Sequence, residues 1–299
     1  MYTKQSRLIE PVFPTLPESV GIRTFNLFHK LIIGDAQKMS EIPDRSIDLM
    51  VTSPPYFKMR NHMDYNSYEQ YMEVMNNVFK EVYRVMKIGR VIAINISDYM
   101  VNGVKYSIPA DFVIMLKGIG LRYNEDIIWV KPIGIKGGAG KRAGNVVKNL
   151  YPLYFYPNNI YEHILIFSRG EMARPDYKLP HVRASKLKLR EIKPFLGDVW
   201  EFATEIKNQF TVDESHPAMF PETLPRNIIM FYSHVSDVVL DPFVGSGTTL
   251  LAARNLRRSS IGIEINPKWI DTIKEKVGWN TSSIGDNIRY DLIIRDELK

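Results

Sequence analysis

Apolar residues follow two different spacings along this chain, and segments of the two kinds alternate. Short, continuously apolar runs predict buried strands at residues 31–33, 47–51, 90–96, 126–130, 161–167, 238–240 and 260–265. Apolar residues three or four positions apart predict helices at residues 68–85, 108–119, 226–232 and 250–256. This alternation is typical of an α/β protein. We therefore predict a doubly wound, mostly parallel, Rossmann-like sheet that binds ligands at the carboxyl ends of its strands.

A glycine-containing turn connects the predicted strand at residues 238–240 to the helix that follows it. The turn is Asp241-Pro-Phe-Val-Gly-Ser-Gly-Thr-Thr249. Gly245 and Gly247 lack a Cβ, so a ligand can approach the backbone N–H groups at the helix N-terminus. No phosphate-binding lysine follows, and the acid at the first position would repel an anion. The turn therefore favours a cationic or zwitterionic ligand, although an ordinary β–α turn can have the same composition.

A second acid lies at the end of the next predicted strand. Glu264 follows the glycine turn by roughly 20 residues, which is the distance expected for a carboxylate that binds a ribose. Such a carboxylate can accept hydrogen bonds from both ribose hydroxyls. The alternative is that Glu264 is only a surface charge at a strand end.

The predicted strand at residues 47–51 leads directly into Ser53-Pro54-Pro55-Tyr56. Two prolines cannot continue a central strand, so the chain must leave the sheet at this point. This exit lies at the edge where α/β sheets bind ligands. Proline pairs beside a tyrosine also occur in ordinary turns.

Both motifs resemble those of the amino-group DNA methyltransferases. The glycine turn resembles their S-adenosylmethionine-binding motif, in which the acid faces the methionine ammonium, and the segment at residues 216–225 resembles one that closes over the methionine end. The resemblance implies cofactor contacts by Asp241, Pro242, Phe243, Gly245, Ser246, Gly247, Thr248, Glu264, Phe220 and Glu222. Ser-Pro-Pro-Tyr resembles their catalytic motif, which implies that Ser53, Pro54, Pro55 and Tyr56 act on a base amino group. Phe57 either assists or belongs to the core.

The catalytic motif comes before the cofactor motif, which reverses the usual methyltransferase order. This circular permutation resembles the β group of the family over about residues 31–279, and argues against RNA methyltransferases with a similar motif. It implies that the strand before Asp35 lies beside the Glu264 strand, with Asp35 near the cofactor adenine. Serine before Pro-Pro, and the segment 220–225, resemble cytosine-N4 enzymes; adenine-N6 specificity is the alternative.

Two basic segments interrupt the α/β pattern. Residues 131–149 contain Lys131, Lys136, Lys141, Arg142 and Lys148, and residues 174–193 contain Arg174, Arg183, Lys186, Lys188 and Arg190. With a net charge of +6, these segments favour contact with a phosphate backbone. The alternative is an ordinary solvated face. The aromatic residues at 151–156 either stack on bases or pack as a hydrophobic plug, and Asp98 either borders the active site or forms a turn.

The chain has no cysteine, which excludes disulfides, thiolate zinc sites and thiol nucleophiles. A cytosine C5-methyltransferase of the usual kind needs a cysteine and is excluded, and the cysteine-liganded zinc deaminases are disfavoured. The six histidines show no helical pairing, so we predict no metal site. The chain has neither an apolar run long enough for a membrane span nor a signal-peptide core near residues 1–11.

We divide the chain into an N-terminal arm (1–30), a catalytic half (31–170), a basic target-recognition segment (171–197), a cofactor half (198–279) and a C-terminal tail (280–299) without a predicted function. We expect a cytoplasmic, nucleoid-associated prokaryotic enzyme that acts on double-stranded DNA, with no membrane partner. It would work alone or beside a cognate restriction endonuclease, as a monomer or homodimer. A protein of this fold that binds nucleic acid without turnover is the alternative.

Overall fold

The computed structural model describes residues 26–58, 65–131, 159–202, 220–279 and 287–296. Its strands are β1 (Asn26–Ile33), β2 (Ile47–Thr52), β3 (Met86–Ile96), β4 (Tyr99–Val101), β5 (Val104–Tyr106), β6 (Arg122–Val130), β7 (Tyr161–Ser168), β8 (Val199–Glu201), β9 (Val238–Asp241), β10 (Ser259–Glu264) and β11 (Asn287–Ile294). Its α-helices are α1 (Tyr68–Val85), α2 (Ile108–Ile119), α3 (Pro180–Ala184), α4 (Leu189–Ile192), α5 (Thr223–Tyr232), α6 (Thr248–Asn255) and α7 (Ile270–Val277). None of the helices in these ranges is both long and apolar enough to cross a membrane.

The described strands form one large sheet in the order β11-β1-β10-β9-β2-β3-β7-β6-β8, with β4 and β5 as a separate hairpin. Neighbouring strands of the large sheet are parallel except at β7, which runs antiparallel to both β3 and β6. All six residues of β2 are buried, as expected for a central parallel strand covered on both faces. The predicted α/β class and mostly parallel sheet are confirmed.

The helices form where the apolar spacing predicts them. The predicted bounds 68–85 and 108–119 are those of α1 and α2. The Ser67 side chain accepts a hydrogen bond from the Gln70 backbone N–H at 3.2 Å and caps the start of α1. Gly120 ends α2 in a left-handed conformation, with φ of 105°. Local sequence signals therefore mark the start of α1 and the end of α2.

The core has two layers, one on each face of the sheet. On one face, Met50 and Ile92 pack beneath α1 and α2. On the other face, Leu49 and Val51 pack with α5 and α6, while Leu31 and Ile33 pack with α7. Alternate residues of each strand therefore enter opposite layers, as the two-residue period of a strand requires.

The pairing expected from the permuted motif order is present. Strand β1 lies parallel to β10, and Ile33 is opposite Glu264. The Gly34 N–H donates to the Glu264 carbonyl at 2.9 Å, which extends the pairing to the strand ends. Asp35 therefore lies at the end of the strand beside Glu264.

Several predicted boundaries need correction. Strand β1 begins at Asn26, so residues 26–30 belong to the sheet and not to an N-terminal arm. Strand β3 begins at Met86, directly after α1 and four residues before the predicted start at residue 90. Part of the predicted tail is strand β11, which pairs with β1 along its whole length. These segments alternate polar with apolar residues because they lie at sheet edges or strand ends, so their apolar runs are short.

His29 is a buried polar residue within β1. Its Nδ1 atom lies 2.8 Å from the Ser260 hydroxyl, and its ring packs against Tyr290. Burial, with a smaller contribution from the Arg254 charge, lowers the pKa of His29 from 6.5 to about 4. The folded protein therefore favours neutral His29, whereas the unfolded chain binds a proton at a higher pH.

This difference predicts an acid-dependent loss of stability. The contribution of His29 should be complete above pH about 6.5, and should be lost progressively as the pH falls to about 4, by at most about 3 kcal/mol. His29→Gln should reduce the slope of unfolding free energy against pH in that window. Urea titrations of both proteins between pH 4 and pH 7.5 measure the slopes, and identical slopes would contradict this origin.

Candidate active site

The catalytic motif begins where β2 ends. Ser53 follows Thr52, the last residue of the strand, and is partly exposed, while Pro54 and Tyr56 are buried. The Tyr56 ring stacks on Tyr99 of the β4–β5 hairpin, with a centroid distance of 5.3 Å and an interplanar angle of 24°. Burial holds the pKa of the Tyr56 phenol well above its usual value, so the hydroxyl is neutral. The motif thus presents the Ser53 hydroxyl near the stacked rings of Tyr56 and Tyr99.

Phe57 belongs to the core and not to the exposed part of the motif. It is 4% exposed and meets the rings of Tyr68 and Tyr106 edge to face. Of the two roles predicted for Phe57, these contacts favour the core role. Asp98, the other residue with two predicted roles, forms an ion pair with Lys105 at 2.6 Å across the β4–β5 hairpin.

One carboxylate joins the catalytic motif to the glycine turn. Asp241 Oδ1 accepts hydrogen bonds from the Thr52 hydroxyl at 2.6 Å and from the Phe243 N–H at 3.0 Å. Its Oδ2 accepts from the Thr249 hydroxyl at 2.6 Å. Asp241 is 1% exposed, and Thr52 directly precedes Ser53. Thr52 and Asp241 are 189 residues apart in the chain, yet the buried Asp241 carboxylate connects the two motifs.

A second carboxylate closes the glycine turn from the opposite side. Glu264 Oε2 accepts from the Gly245 N–H at 3.0 Å, and Oε1 accepts from the Asn266 N–H at 2.9 Å. Gly247 has φ of 88° and begins α6, so the turn uses the left-handed region that glycine adopts without strain. Each Glu264 oxygen retains acceptor capacity for one further donor.

Both acids sit in surroundings that disfavour their charge. Burial raises the pKa of Asp241 to about 6, even though three hydrogen bonds favour its ionised form. Burial also raises the pKa of Glu264 to about 7, against hydrogen bonds from the backbone of Asn266, Gly245 and Ile265. Two buried acids with raised pKa values, held around one glycine turn, mark a candidate functional site.

Asp35 lies just after β1, at the same edge of the sheet as Glu264. Its two carboxylate oxygens accept from the Gln37 N–H at 2.9 Å and from the Gln37 side-chain amide at 2.8 Å. The Gln37 amide oxygen in turn accepts from Asn77 at 3.1 Å. The structure therefore brings Ser53, Asp241, the glycine turn, Glu264 and Asp35 to the carboxyl ends of β2, β9, β10 and β1.

Other predicted cofactor residues have different surroundings. Pro242 is buried, and Phe243 packs against the core beneath α1. Phe220 packs against the core beneath α5. The Glu222 carboxylate accepts from Asn255, the last residue of α6, at 2.9 Å. Because a helix rises about 1.5 Å per residue, that contact lies roughly 10 Å from the glycine turn, so the structure does not bring the Glu222 side chain to the turn.

Several residues at this site were not among the predicted site residues. Lys276 in α7 donates to the Thr248 hydroxyl at 2.7 Å and to the Ser246 hydroxyl at 3.1 Å. Thr52 and Thr249 supply the bonds to Asp241 described above. The threonines adjoin the predicted motifs and could have been noticed there. Lys276 could not, because its helical position carries no mark of the contact.

The structure describes only the first residue of the basic segment at 131–149. Lys131 forms an ion pair with Glu162 and lies over the Trp129 ring. Lys136, Lys141, Arg142, Lys148 and the aromatic residues 151–156 lie outside the described residues, as does His216.

The segment with Arg174, Arg183, Lys186, Lys188 and Arg190 leaves β7 at the amino ends of the parallel strands. The Ala173 N–H donates to the carbonyl of Gly89, near the start of β3, at 3.0 Å. The Ser185 hydroxyl accepts from the Val235 N–H, just before β9, at 2.8 Å. Arg174 through Ser185 therefore lie at the edge opposite Ser53, and Lys188 and Arg190 lie on the return to β8. The antiparallel direction of β7 is the physical reason, and the contact of this segment with a phosphate backbone stays a prediction.

Comparison with known proteins identifies the family. The family model N6_N4_Mtase, described as DNA methylase, matches residues 47–275. This chain belongs to the DNA methylase family. The match spans both the catalytic motif and the cofactor motif. The chain is therefore a DNA methyltransferase of the N6/N4 family.

Relatives of similar length support this assignment. The Type II methyltransferase M.MjaI of Methanocaldococcus jannaschii is 34% identical, over 89% of this chain and 97% of that protein. A DNA modification methylase described as putative, from Thermus thermophilus and solved in complex with S-adenosylmethionine, has a TM-score of 0.70 at 25% identity, covering 89% of this chain and 98% of that chain. The cytosine-N4-specific PvuII DNA methyltransferase has the same fold, with a TM-score of 0.66 at 22% identity over 87% of this chain and 89% of that chain.

The close packing of β10 beneath the glycine turn predicts that a side chain at Gly262 would destabilise the protein. A Cβ on Gly262 would lie 2.8 Å from Val244 and 3.0 Å from Leu250. Gly262→Ala should lower the free energy of unfolding by about 1–3 kcal/mol, because either the turn or the strand must shift. Gly118→Ala in α2 is the control, since its Cβ would meet open space and should stabilise the helix by about 0.5–1 kcal/mol. Urea unfolding measures both, and equal stability of the two variants would contradict the packing argument.

Proposed function

We propose that this enzyme transfers a methyl group from S-adenosylmethionine to the exocyclic N4 of a cytosine in double-stranded DNA. The observation that carries the proposal is the pair of bonds from Thr52 and Thr249 to Asp241. They hold the amino-group motif and the cofactor turn side by side. A methyl acceptor beside Ser53 and a methyl donor above Gly245 would then be neighbours, and such proximity is the main requirement of a direct methyl transfer.

The methyl donor is S-adenosylmethionine, and the two acids fit two of its groups. Glu264 has one acceptor position left on each oxygen, which suits the adjacent hydroxyls of a ribose. Asp241 has used three acceptor positions and retains one, with a buried negative charge that attracts the methionine ammonium. Asp35, beside the Glu264 strand, is assigned to the adenine.

The chemistry needs neither a covalent intermediate nor a thiol. The amino nitrogen of cytosine is a poor nucleophile, because its lone pair is delocalised into the ring. The Ser53 hydroxyl and the Pro54 carbonyl accept its hydrogens and favour a pyramidal nitrogen with an available lone pair. That lone pair attacks the methyl carbon, the carbon–sulfur bond breaks with its electron pair passing to sulfur, and the nitrogen releases one proton to solvent water. The products are the methylated base and neutral S-adenosylhomocysteine.

The target base must leave the duplex before it can reach this site. Tyr56 and Tyr99 form an aromatic wall at the edge that carries Ser53, and we assign base stacking to this wall. Ser53 in the catalytic motif and the segment 220–225 support cytosine, and adenine-N6 is the second candidate. Relatives described as Type II methyltransferases, such as M.MjaI, support a role in site-specific modification beside a restriction endonuclease, or as a solitary enzyme.

Methylation of DNA followed by nucleoside analysis tests the product. The purified protein with S-adenosylmethionine should produce N4-methylcytosine, detected by mass spectrometry of digested DNA. N6-methyladenine instead would contradict the cytosine assignment, and the absence of any methylated base would favour a binding protein without turnover.

Ser53→Ala tests the catalytic role separately. The variant should lose most turnover, about a hundredfold or more, because one acceptor of the amino hydrogens is gone, while cofactor affinity should be unchanged. Ser46→Ala removes a hydroxyl just before the other end of β2, where Ser46 bonds to the Pro43 carbonyl, and should keep full activity. Full activity of Ser53→Ala would show that the hydroxyl is dispensable.

The raised pKa of Glu264 predicts that cofactor binding releases protons. Ribose hydroxyls bind the ionised carboxylate, whereas at pH 6.5 the free enzyme carries mostly neutral Glu264, with its pKa of about 7. Affinity for S-adenosylhomocysteine should therefore fall below pH 7, by up to about tenfold per pH unit for each such proton. Calorimetry at pH 6.5 in buffers of different ionisation enthalpy measures the release. Glu264→Gln should bind about 1–3 kcal/mol more weakly and release fewer protons; equal release from both proteins would contradict the assignment.

A further inference from the structure

The C-terminal strand ends beside the cofactor edge. Strand β11 runs parallel to β1, with Ile294 opposite Ile33. The next residue, Arg295, continues the pairing by donating its backbone N–H to the Ile33 carbonyl at 3.1 Å. Ile33 is the strand residue opposite Glu264 on the other side. Arg295 therefore starts from a fixed position, and only β1 separates its strand from the strand that carries Glu264.

The Arg295 guanidinium holds the loop that follows β1. Its Nη1 donates to the Asp35 carbonyl at 2.6 Å, and its Nη2 donates to the Lys38 carbonyl at 2.5 Å. Its Nε and Nη2 also form a two-pronged ion pair with Glu41, at 2.8 Å and 2.9 Å. The side chain is 9% exposed, and the Arg295 bond lowers the pKa of Glu41, as expected for a pair that is formed and ordered.

The backbone at the start of this loop is shaped to receive the guanidinium. A Cβ on Gly34 would lie 2.5 Å from Arg295 Cδ and 2.8 Å from its Nη1, so only glycine allows this approach. Asp35 follows Gly34, and its carboxylate is oriented by both donors of Gln37. Arg295 thus fixes the main chain of Asp35, while Gln37 fixes its side chain.

We propose that Arg295, together with Glu41, is a positioning residue that sets Asp35 for recognition of the cofactor's adenine. The inference rests on the proposed function, in which Asp35 faces the adenine. In this arrangement the Asp35 carboxylate accepts a hydrogen bond from the purine 6-amino group. It rejects a purine with a 6-carbonyl, because two acceptors would then face each other. The C-terminal strand therefore contributes to base selectivity in the cofactor site without touching the ligand.

The test compares two ligands that differ only at the purine 6-position, S-adenosylhomocysteine and S-inosylhomocysteine. Calorimetry on the full chain measures both affinities for the wild type, Arg295→Met, Arg295→Lys and Glu41→Gln. The matched control is Arg289→Met, since Arg289 lies on the same strand but is mostly exposed and pairs only with Asp291 among the contacts described here. Kinetic measurements add KM for S-adenosylmethionine and kcat at saturating cofactor.

The wild type should prefer the adenine ligand by on the order of tenfold, as expected for one hydrogen bond to a charged group. Arg295→Met should lose most of this preference and should raise KM for S-adenosylmethionine with little change in kcat. Arg295→Lys and Glu41→Gln should lose less of the preference. Arg289→Met should match the wild type. A purely structural role would weaken both ligands equally, so an unchanged preference in Arg295→Met and Glu41→Gln would overturn the proposal. If Arg295→Met does not fold, Arg295→Lys and Glu41→Gln decide in the same way.

The outcome also separates this inference from the proposed function. A wild type that binds and uses S-adenosylmethionine but does not distinguish the two purines would overturn the role of Asp35, and with it that of Arg295, while leaving methyl transfer intact. A wild type that binds neither ligand would overturn the proposed function itself.

Discussion

The buried carboxylate of Asp241 makes the contacts on which the geometry of the candidate active site depends. It lies at the end of β9, next to the end of β2, and accepts hydrogen bonds from Thr52, Thr249 and the Phe243 N–H. A carboxylate in an apolar interior is costly unless hydrogen bonds satisfy it, and here three donors do so. Removing it would leave the buried hydroxyls of Thr52 and Thr249 without this acceptor and would remove the hydrogen bonds that connect the glycine turn to the catalytic motif.

Sheet order explains how residues distant in the chain form one site. Strands β2, β9, β10 and β1 are neighbours, although they come from opposite ends of the chain. Because they are parallel, their carboxyl ends share one edge, and the residue following each strand lies there. Asp241 joins two of these strand ends, and Glu264 joins the third to the glycine turn. The permuted motif order changes the connections between strands but leaves this edge intact.

The outermost strand of the sheet, β11, also brings a residue from the C-terminal part of the chain to this edge. Strand β11 pairs with β1 and carries Arg295 to the loop that contains Asp35 and Glu41. Residues 287–295 therefore have a structural role, as an outer strand and as a support for this loop, which the polar composition of the predicted tail did not indicate. The opposite edge carries a different group of residues, since Arg174 and its basic neighbours follow β7 to the amino ends of the strands. The two edges of the sheet are therefore chemically distinct.

Much of this protein was predictable from its sequence, because strong local patterns determine it. The helices at 68–85 and 108–119, the α/β class and the two motifs depend on apolar spacing, glycine and proline within short segments. The pairing of β1 with β10 also followed, from the order of the motifs. Only the tertiary structure decided the direction of β7, the edge reached by the segment after Arg174, the docking of β11 and the contacts of Lys276 and Arg295. These features depend on pairing between residues far apart in the chain, and no local composition or periodicity specifies which partner a strand or side chain will meet.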